Sequence, residues 1–432
     1  MSRLAMFGGS PVRTRAFPSW PVFDRLEEEA VLEVVRSGNW WRYSFGQAAD
    51  ATIQDEGPAS KVGEFQQAFA RFQGARYGIA CSTGTAAIEI ALKALGIGPG
   101  DEVVVPPYTF IATASAPLIL NAVPIFCDLE NDTFNLDPKR MEEAITPRTK
   151  AVVPVHFAGQ AVDMDAVSAI ARKHGLHVVE DAAHGHGGSW KGRGLGTIGE
   201  AGTFSFQASK NMTAGEGGMI VTDDEQLAKL CESYLWGGRV IGRPWYEHHR
   251  LGWNYRLTEF QGAILLQQLT RVECQTLKRM ENGLYLNRRL ASVPGIRPLH
   301  VPDYVTRHAF HIYVFRFDEA EFGIPRADFL AALAAEGISC SAGYAHPLYK
   351  NPMFLNQEFY PRGCPVNCGH YDRKLDYASF EELCPNAERA CREAVWLEHR
   401  QLLGDQADMD DIADAVTKIH ECRDEFAPAT SR

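Results

Sequence analysis

The sequence predicts an α/β fold with a mostly parallel sheet, followed by a smaller α+β domain. Short apolar runs such as "DEVVVPP", "TKAVVPVHF" and "LHVVEDAA" are separated by stretches with helical periodicity. Runs that are apolar throughout indicate strands buried on both faces, which is typical of parallel sheets covered by helices. The pattern changes near residue 295, and 432 residues are too many for one ordinary core. We therefore expect two domains, residues 1–275 and 276–432, with the N-terminal segment a candidate to pack on the smaller one.

The first half of the chain alternates between predicted helices and strands. An amphipathic helix is predicted over 22–37, ending at Gly38, and a polar loop over 43–61. A strand in "YGIACSTG" runs into a helix in "TAAIEIALKALGIG", and another helix spans about Phe110 to Leu120. Further strands are predicted in "AVPIFCDL", "AGTFSF" and "GGMIVTD".

The second half begins with a long predicted helix over 258–291. A strand in "HIYVFRFD", a helix in "RADFLAALAAEG" and a strand in "ISCSAGYAHP" follow it. A helix over 408–422 closes this domain.

Composition excludes several classes of protein. The net charge is −11 and the charges are interspersed, so the chain has no basic stripe for nucleic acid. It has no apolar run of membrane-spanning length and no apolar region of a secretory signal, so we expect a cytoplasmic protein without a membrane partner. The ten cysteines are scattered, which favours reduced thiols. Cys364, Cys368 and His370 are close in sequence, with Cys384 further on, but their spacing matches no common zinc pattern, so no metal is predicted.

The stretch "CSTGTAAIE" is a candidate phosphate site. Gly84 and Thr85 lie where a predicted strand turns into a helix, and the free N–H groups at a helix start favour an anion. Ser82, Thr83 and Thr85 add hydroxyl donors. An ordinary helix cap is the alternative, because serine and threonine cap helices routinely.

The stretch "VVEDAAHGHGG" places Asp181 at the end of an apolar strand. A buried acid is unfavourable unless it is paired, and a protonated pyridine nitrogen would be a suitable partner. His184 and His186 alternate in the following loop, where ordinary loop histidines are favoured over a metal pair.

The stretch "FSFQASKNMTAGEGGM" holds Lys210 among small and uncharged residues. Burial there would lower the pKa of its amine and make it a nucleophile. Lys210 follows Asp181 by 29 residues, about one helix and one strand later, and Ser205 precedes it in the strand. Together, the phosphate site, the acid and the lysine indicate a Schiff-base site for pyridoxal 5′-phosphate (PLP).

Four motifs resemble the DegT/DnrJ/EryC1/StrS family of PLP-dependent sugar aminotransferases: "STGTAAIE", "EDAAHGHG", "FSFQASKNMTAGEGGM" and "NYRLTEFQGAIL". Within the family, "WPVFDRLEEEAVLEVVRSGNWW" and "CREAVWLEHRQLL" resemble the branch of glutamine:inosose aminotransferases and 3-amino-5-hydroxybenzoate synthase. The resemblance implies the fold type I architecture and a homodimer with shared active sites.

The resemblance also implies roles for individual residues. Lys210 would bond the cofactor aldehyde, Asp181 would hold the ring nitrogen, and His184 would lie near the ring's 3′ oxygen. Phe110 in "YTFIATA" would stack on the ring. The phosphate would be held by Gly84, Thr85 and Ser205 of one subunit and Asn254 of the other. The 43–61 loop and an apparent insertion over 356–380 depart from the family pattern, and either could remodel the acceptor pocket.

The expected reaction moves an amino group from glutamine or glutamate to a ketone on a cyclitol or sugar. The alternatives are a 3-amino-5-hydroxybenzoate synthase reaction and a nucleotide-sugar aminotransferase. A related sugar dehydratase is disfavoured because that subgroup replaces the lysine with histidine, and the intact lysine and acid also disfavour a non-enzymatic regulator. The loops "GRPWYEHHR" and "GYAHPLY" supply candidate substrate residues, with ordinary surface loops as the alternative: Tyr246, His248, His249, Tyr344 and His346.

Overall fold

The computed structural model describes residues 3–45, 51–55 and 59–426. The first helix begins after Asp24, whose side chain accepts a hydrogen bond from the Leu26 N–H, and it ends at Gly38 in the left-handed region. The first elements are α1 (Arg25–Ser37), β1 (Tyr43–Phe45), β2 (Ile53–Asp55) and α2 (Lys61–Gln73).

The prediction of a loop over 43–61 is wrong in part, because β1 and β2 pair as an antiparallel hairpin. Tyr43 anchors it by stacking on Trp236 at 4.0 Å between ring centroids, a long-range contact that local polarity does not reveal. Residues 46–50 and 56–58 of the predicted loop lie outside the described residues.

The large sheet confirms the predicted α/β class. Its seven strands follow the order β3-β11-β10-β7-β6-β4-β5, and β11 runs antiparallel to both neighbours while the other pairs are parallel. The strands and the helices between them are β3 (Tyr77–Cys81), α3 (Gly84–Ala94), β4 (Glu102–Val105), α4 (Ala112–Ile119), β5 (Val123–Phe126), α5 (Pro138–Ala144), β6 (Thr149–Val152), α6 (Met164–His174), β7 (His177–Asp181), β8 (Ser189–Trp190), β9 (Arg193–Gly194), β10 (Ala201–Ser205), β11 (Gly218–Thr222) and α7 (Glu225–Leu235).

The prediction of a helix between Asp181 and Lys210 is wrong. The short antiparallel strands β8 and β9 occupy that stretch instead. The segment "HGHGGSWKGRGLGTIG" is rich in glycine, which disfavours a helix and permits tight turns such as those at Gly187 and Gly192, both with positive φ.

The C-terminal part forms a three-stranded antiparallel sheet in the order β12-β14-β15. Its core includes Phe315, Phe329 and Met409, and Leu4 from the N-terminal segment lies in the same cluster. The elements are α8 (Glu259–Leu290), β12 (Ile296–Pro298), β13 (Val305–Arg307), β14 (Ile312–Phe317), α9 (Glu319–Phe322), α10 (Arg326–Ala335), α11 (Pro352–Leu355), α12 (Phe380–Leu383), α13 (Pro385–Glu393), β15 (Ala394–Glu398) and α14 (Gln406–Glu421). Because α8 runs continuously past residue 275, the boundary between the two predicted domains stays a prediction.

The predicted strand in "ISCSAGYAHP" is wrong, because only Ser341 forms an isolated bridge, to Trp396. Gly343 has a φ of +69°, and a Cβ there would come within 2.5 Å of the Trp396 ring. The chain therefore turns at Gly343, close to the Trp396 indole, and does not continue as a strand.

The segment over 356–380 packs on the edge of the large sheet. Tyr377 lies 5.8 Å from Phe126 of β5 between ring centroids, and Phe380 lies 5.6 Å from it. The Tyr371 hydroxyl donates to Glu102 Oε1 at the start of β4, over 2.6 Å. This segment therefore runs along the sheet edge from the start of β4 to the end of β5. No helix among the described residues is long and apolar enough to cross a bilayer.

Candidate active site

A cavity of about 1190 Å³ opens at the carboxyl ends of the large sheet's strands, where ligands bind in open parallel sheets. We call two parts of its wall the cofactor half and the outer half. The cofactor half contains Thr83, Gly84, Thr85, Phe110, Asp181, His184, Ser205 and Lys210. The outer half contains Trp20, Ser339, Cys340, Ser341, Tyr344, Trp396, Glu398 and Arg400.

The start of α3 forms a close-fitting cradle in the cofactor half. Thr83 caps the helix, and its side chain accepts a hydrogen bond from the Ala86 N–H over 3.0 Å. Gly84 lies so close to β10 that a Cβ would come within 2.7 Å of the Ser205 Cβ. The first N–H groups of a helix have no acceptor within it, so the cradle suits a phosphate.

Asp181 is fixed at the end of β7 with only 5% of its surface exposed. Its Oδ2 accepts a hydrogen bond from the Thr113 hydroxyl over 2.8 Å, and its Oδ1 accepts one from the Ala183 N–H over 3.2 Å. Burial raises the pKa of its carboxyl above the ordinary value. Within the described residues, no Lys, Arg or His side chain forms an ion pair with Asp181, although the charge of Lys210 acts on it from a greater distance. The acid is therefore oriented and has no directly paired cation. A protonated ring nitrogen fits that requirement.

Lys210 lies in the turn after β10, where its N–H donates to the Gln207 carbonyl over 2.8 Å. Part of its side chain faces the cavity. The surrounding protein nevertheless desolvates the amine enough to lower its pKa to about 8, with the charge of Asp181 acting in the opposite direction. An appreciable share of the amine is therefore unprotonated near neutral pH, as a nucleophile or base requires.

Buried histidines extend from the cofactor half along the wall. The rings of His184 and His311 are 4.2 Å apart, and those of His311 and His399 are 5.6 Å apart. Burial, and then the charge of Lys210, lower the pKa of His184 well below its ordinary value, so its imidazole is neutral at pH 7. Its buried Nδ1 has no hydrogen-bond partner in the described part of the chain, which leaves it available to a bound group. His186 packs against Phe204 away from the cavity.

The structure brings eight of the predicted site residues to the cavity and leaves five outside it. Those at the cavity are Gly84, Thr85, Phe110, Asp181, His184, Ser205, Lys210 and Tyr344. Those outside it in the single chain are Asn254, Tyr246, His248, His249 and His346. His248 instead bonds the Gly237 carbonyl over 2.6 Å, and His346 lines a smaller pocket beside Lys350. No described group of three or more His, Cys, Asp or Glu side chains is placed to hold a metal.

Sequence reasoning missed most of the outer half. The motif "VWLEHR" contained one usable signal, because alternate residues of a strand share a face and so Trp396 and Glu398 project to the same side. No pattern in the sequence around Trp20 predicts that this side chain lies at the cavity. It reaches the cavity because the N-terminal segment folds back, and its indole N–H donates to the Ala208 carbonyl over 3.0 Å. Thr113, which orients Asp181, was also missed.

An α/β fold with a buried acid, a lysine of lowered pKa and a phosphate cradle at one sheet edge defines a PLP-type site, and comparison with known proteins agrees. The chain belongs to the DegT/DnrJ/EryC1/StrS aminotransferase family, whose pattern matches residues 46–417. It is a transaminase with the fold type I architecture of PLP-dependent enzymes.

Individual relatives match almost the whole chain. The L-glutamine:2-deoxy-scyllo-inosose aminotransferase of Streptomyces fradiae is 37% identical over 430 residues, which cover 97% of this chain and 98% of the relative. The crystal structure of 3-amino-5-hydroxybenzoic acid synthase is similar with a TM-score of 0.80 and 33% identity, over 94% of this chain and 100% of that one. The structure of NtdA from Bacillus subtilis with its bound cofactor PMP has a TM-score of 0.74 at 26% identity, over 95% and 86% of the two chains.

Proposed function

We propose that this chain transfers the amino group of L-glutamine to a ketone on a free cyclitol, with PLP as its cofactor. The observation that supports this proposal most strongly is that Lys210, Asp181 and the Gly84–Ser205 cradle line one cavity. When bound, PLP supplies an aldehyde that carries the amino group and a ring that withdraws electrons from the reacting carbon.

The residues of the cofactor half have distinct tasks in this proposal. Lys210 would hold the cofactor by its aldehyde, and its amine, once released, would move the proton from the α-carbon of the donor to the aldehyde carbon of the cofactor. Asp181, held by Thr113 and the Ala183 N–H, keeps the ring nitrogen protonated. His184 would lie near the ring's 3′ oxygen, and Phe110 would cover the ring face.

The outer half favours an uncharged polyol as the amino acceptor. Trp396 and Tyr344 form an aromatic wall, with ring centroids 4.9 Å apart, against which the C–H face of a cyclitol can pack. In the described part of the chain, Lys210 and Arg400 are the two Lys or Arg side chains at the cavity, and Arg400 is paired with Glu398. Even if Arg400 released Glu398, a diphosphate-linked sugar would meet a single guanidinium for its two negative charges. The name of the Streptomyces fradiae relative supports the same class of acceptor and glutamine as donor.

A 3-amino-5-hydroxybenzoate synthase reaction is the second candidate. The TM-score of 0.80 to that synthase favours it, and it would use the same cofactor half on an amino-shikimate-type substrate. A nucleotide-linked keto-sugar is the third candidate acceptor.

We also propose a homodimer in which Asn254 reaches the partner's phosphate site. Large apolar side chains are exposed in the single chain, including Leu251 at 87%, Tyr246 at 72% and Phe110 at 58%. Asn254 lies three residues after Leu251 in the chain, in a bridge with Trp236. A mixed dimer of Lys210→Ala and Asn254→Ala chains would combine both lesions in one site and leave the other intact, so it should recover activity that neither homodimer shows. The absence of recovery would contradict sharing. A cytoplasmic location stays a prediction.

The decisive experiment measures the two half-reactions of the purified, PLP-loaded protein by absorbance. L-glutamine should convert the cofactor to its amine form, and a panel of keto-cyclitols, nucleotide-linked keto-sugars and amino-shikimate compounds should be tested for restoring the aldehyde form. We expect 2-deoxy-scyllo-inosose or a similar keto-cyclitol to restore it fastest. A clear preference for a nucleotide-linked sugar would overturn the acceptor and leave the transaminase activity in place.

A further inference from the structure

The outer half contains an ion pair that the cofactor chemistry does not use. The Arg400 Nε donates to Glu398 Oε2, and the Arg400 Nη1 donates to the Pro18 carbonyl over 3.2 Å. The Arg400 side chain is 30% exposed and that of Glu398 is 57% exposed, so a ligand in the cavity can reach both. Among the described residues, the Arg400 Nη2 donates to no acceptor, which leaves N–H groups available.

The backbone around this pair is fixed although its side chains are partly free. Trp396 and Ser341 exchange two backbone hydrogen bonds, of 2.9 and 3.0 Å, which hold the end of β15 against the neighbouring loop. Glu398 is the last residue of β15 and shares the cavity-facing side with Trp396. Arg400 follows in the next turn. The pair can therefore exchange partners without moving the strand.

A transaminase must admit two unlike substrates to one cavity in turn. Glutamine brings an α-carboxylate, which is unfavourable to bury without a cation. A cyclitol brings only hydroxyl groups, which are recognised by acceptors such as a carboxylate oxygen. An arginine that was always unpaired would bind the carboxylate of glutamine. It would, however, leave an unpaired positive charge beside the uncharged cyclitol.

We propose that Arg400 and Glu398 form an exchangeable pair that sorts the two substrates. In the donor half-reaction, Arg400 binds the α-carboxylate of glutamine and releases Glu398. In the acceptor half-reaction, the ion pair re-forms, and the free oxygen of Glu398 accepts hydrogen bonds from the cyclitol hydroxyls. This inference rests on the proposed function and assigns the specificity of the same cavity.

The test uses the PLP-loaded protein and two probes that cannot react: glutaramate, which is glutamine without its α-amino group, and scyllo-inositol, which has no ketone. Binding is measured by calorimetry and by the change in intrinsic tryptophan fluorescence, so turnover is not required. Arg400→Gln should weaken glutaramate binding at least tenfold and change scyllo-inositol binding less than threefold. Glu398→Gln should weaken scyllo-inositol at least fivefold.

The distinguishing result is glutaramate binding to Glu398→Gln. Because Glu398 competes with the ligand for Arg400, removal of its charge should make glutaramate binding tighter, which a merely structural role would not produce. Arg389→Gln and Glu382→Gln, which remove side chains outside the cavity, are the matched controls and should leave both probes unaffected.

The inference is overturned if Arg400→Gln binds glutaramate normally or if Glu398→Gln binds it no more tightly than the wild type does. The wild-type half-reactions separate this result from failure of the proposed function. A wild type that reacts with neither glutamine nor a keto-cyclitol contradicts the function itself, whereas a reactive wild type with unaffected variants contradicts only the exchangeable pair.

Discussion

The two halves of the cavity are assembled in different ways. The cofactor half is built mainly at the ends of strands of one sheet, and each of its key side chains lies within a few residues of a strand end. The outer half is formed by an N-terminal segment, the loop at Ser339–Ser341 and the end of β15. The N-terminal segment is more than 300 residues from the other two in the sequence. The residues of the cofactor half are therefore positioned by the sheet itself. Those of the outer half are positioned by the packing of segments that are distant in sequence. We therefore expect changes in the cofactor half to impair both half-reactions and changes in the outer half to impair one.

The largest effect is expected from Lys210→Ala. The variant should lose at least about 10³-fold in both half-reactions, because it removes both the nucleophile and the base. Borohydride treatment of the wild type should fix the cofactor to a peptide containing Lys210, and the variant should show no such adduct. Lys191→Ala, at an exposed lysine outside the cavity, is the control. An adduct mapped to any other lysine would show that the assignment is wrong.

Asp181→Asn should be the next most severe change. It keeps the size of the side chain and one oxygen that can accept from the Ala183 N–H, while its amide nitrogen would have to donate to the Thr113 hydroxyl. It removes the negative charge that holds a protonated ring nitrogen. We expect a loss on the order of 10²-fold in both half-reactions, similar to the removal of one preorganised electrostatic group. The thermal unfolding temperature should change little or rise, because burial opposes the charged form of this carboxyl. Near-normal turnover would mean that Asp181 is only structural.

Gly84→Ala tests the cradle separately from the chemistry. The added Cβ would meet Ser205 at 2.7 Å, so the start of α3 or the end of β10 must shift. We expect the dissociation constant for PLP to rise about tenfold or more, since a buried charge-assisted contact contributes roughly 1.5–3 kcal/mol. Gly98→Ala is the matched control because an added Cβ there meets no atom within 4 Å. Equal PLP affinity in the two variants would contradict the cradle.

The lowered pKa of Lys210 predicts a pH dependence for capture of PLP by the cofactor-free protein. Capture requires the unprotonated amine, whose fraction rises about tenfold per pH unit below the pKa and levels off above it. The rate should therefore increase with pH and level off near pH 8, the value to which burial lowers this pKa. Stopped-flow absorbance measures this rate. A rate that keeps increasing to about pH 10 would show an ordinary, solvated lysine.

The same contrast explains what the sequence could predict. Asp181, Lys210 and Gly84 were predictable because each follows an apolar strand, and the carboxyl ends of parallel strands meet at one edge. Arg400 and Trp20 were not, because their position depends on long-range packing of the N-terminal segment against the C-terminal sheet. The hairpin of β1 and β2 was missed for a similar reason, since its anchor is the contact between Tyr43 and Trp236.

The smallest effect is expected from Tyr344→Phe, which removes one hydroxyl from the outer half and keeps the ring that packs at 4.9 Å from Trp396. A neutral hydrogen bond contributes about 0.5–1.5 kcal/mol, so the KM for the keto-cyclitol should rise roughly three- to tenfold. The half-reaction with glutamine should be affected less, because the aromatic ring is kept and the hydroxyl is assigned here to the acceptor. Tyr360→Phe, at a tyrosine outside the cavity, is the control. Equal losses in both half-reactions would mean that the two halves of the cavity do not act separately, because the tyrosine would then position the cofactor as well as the acceptor.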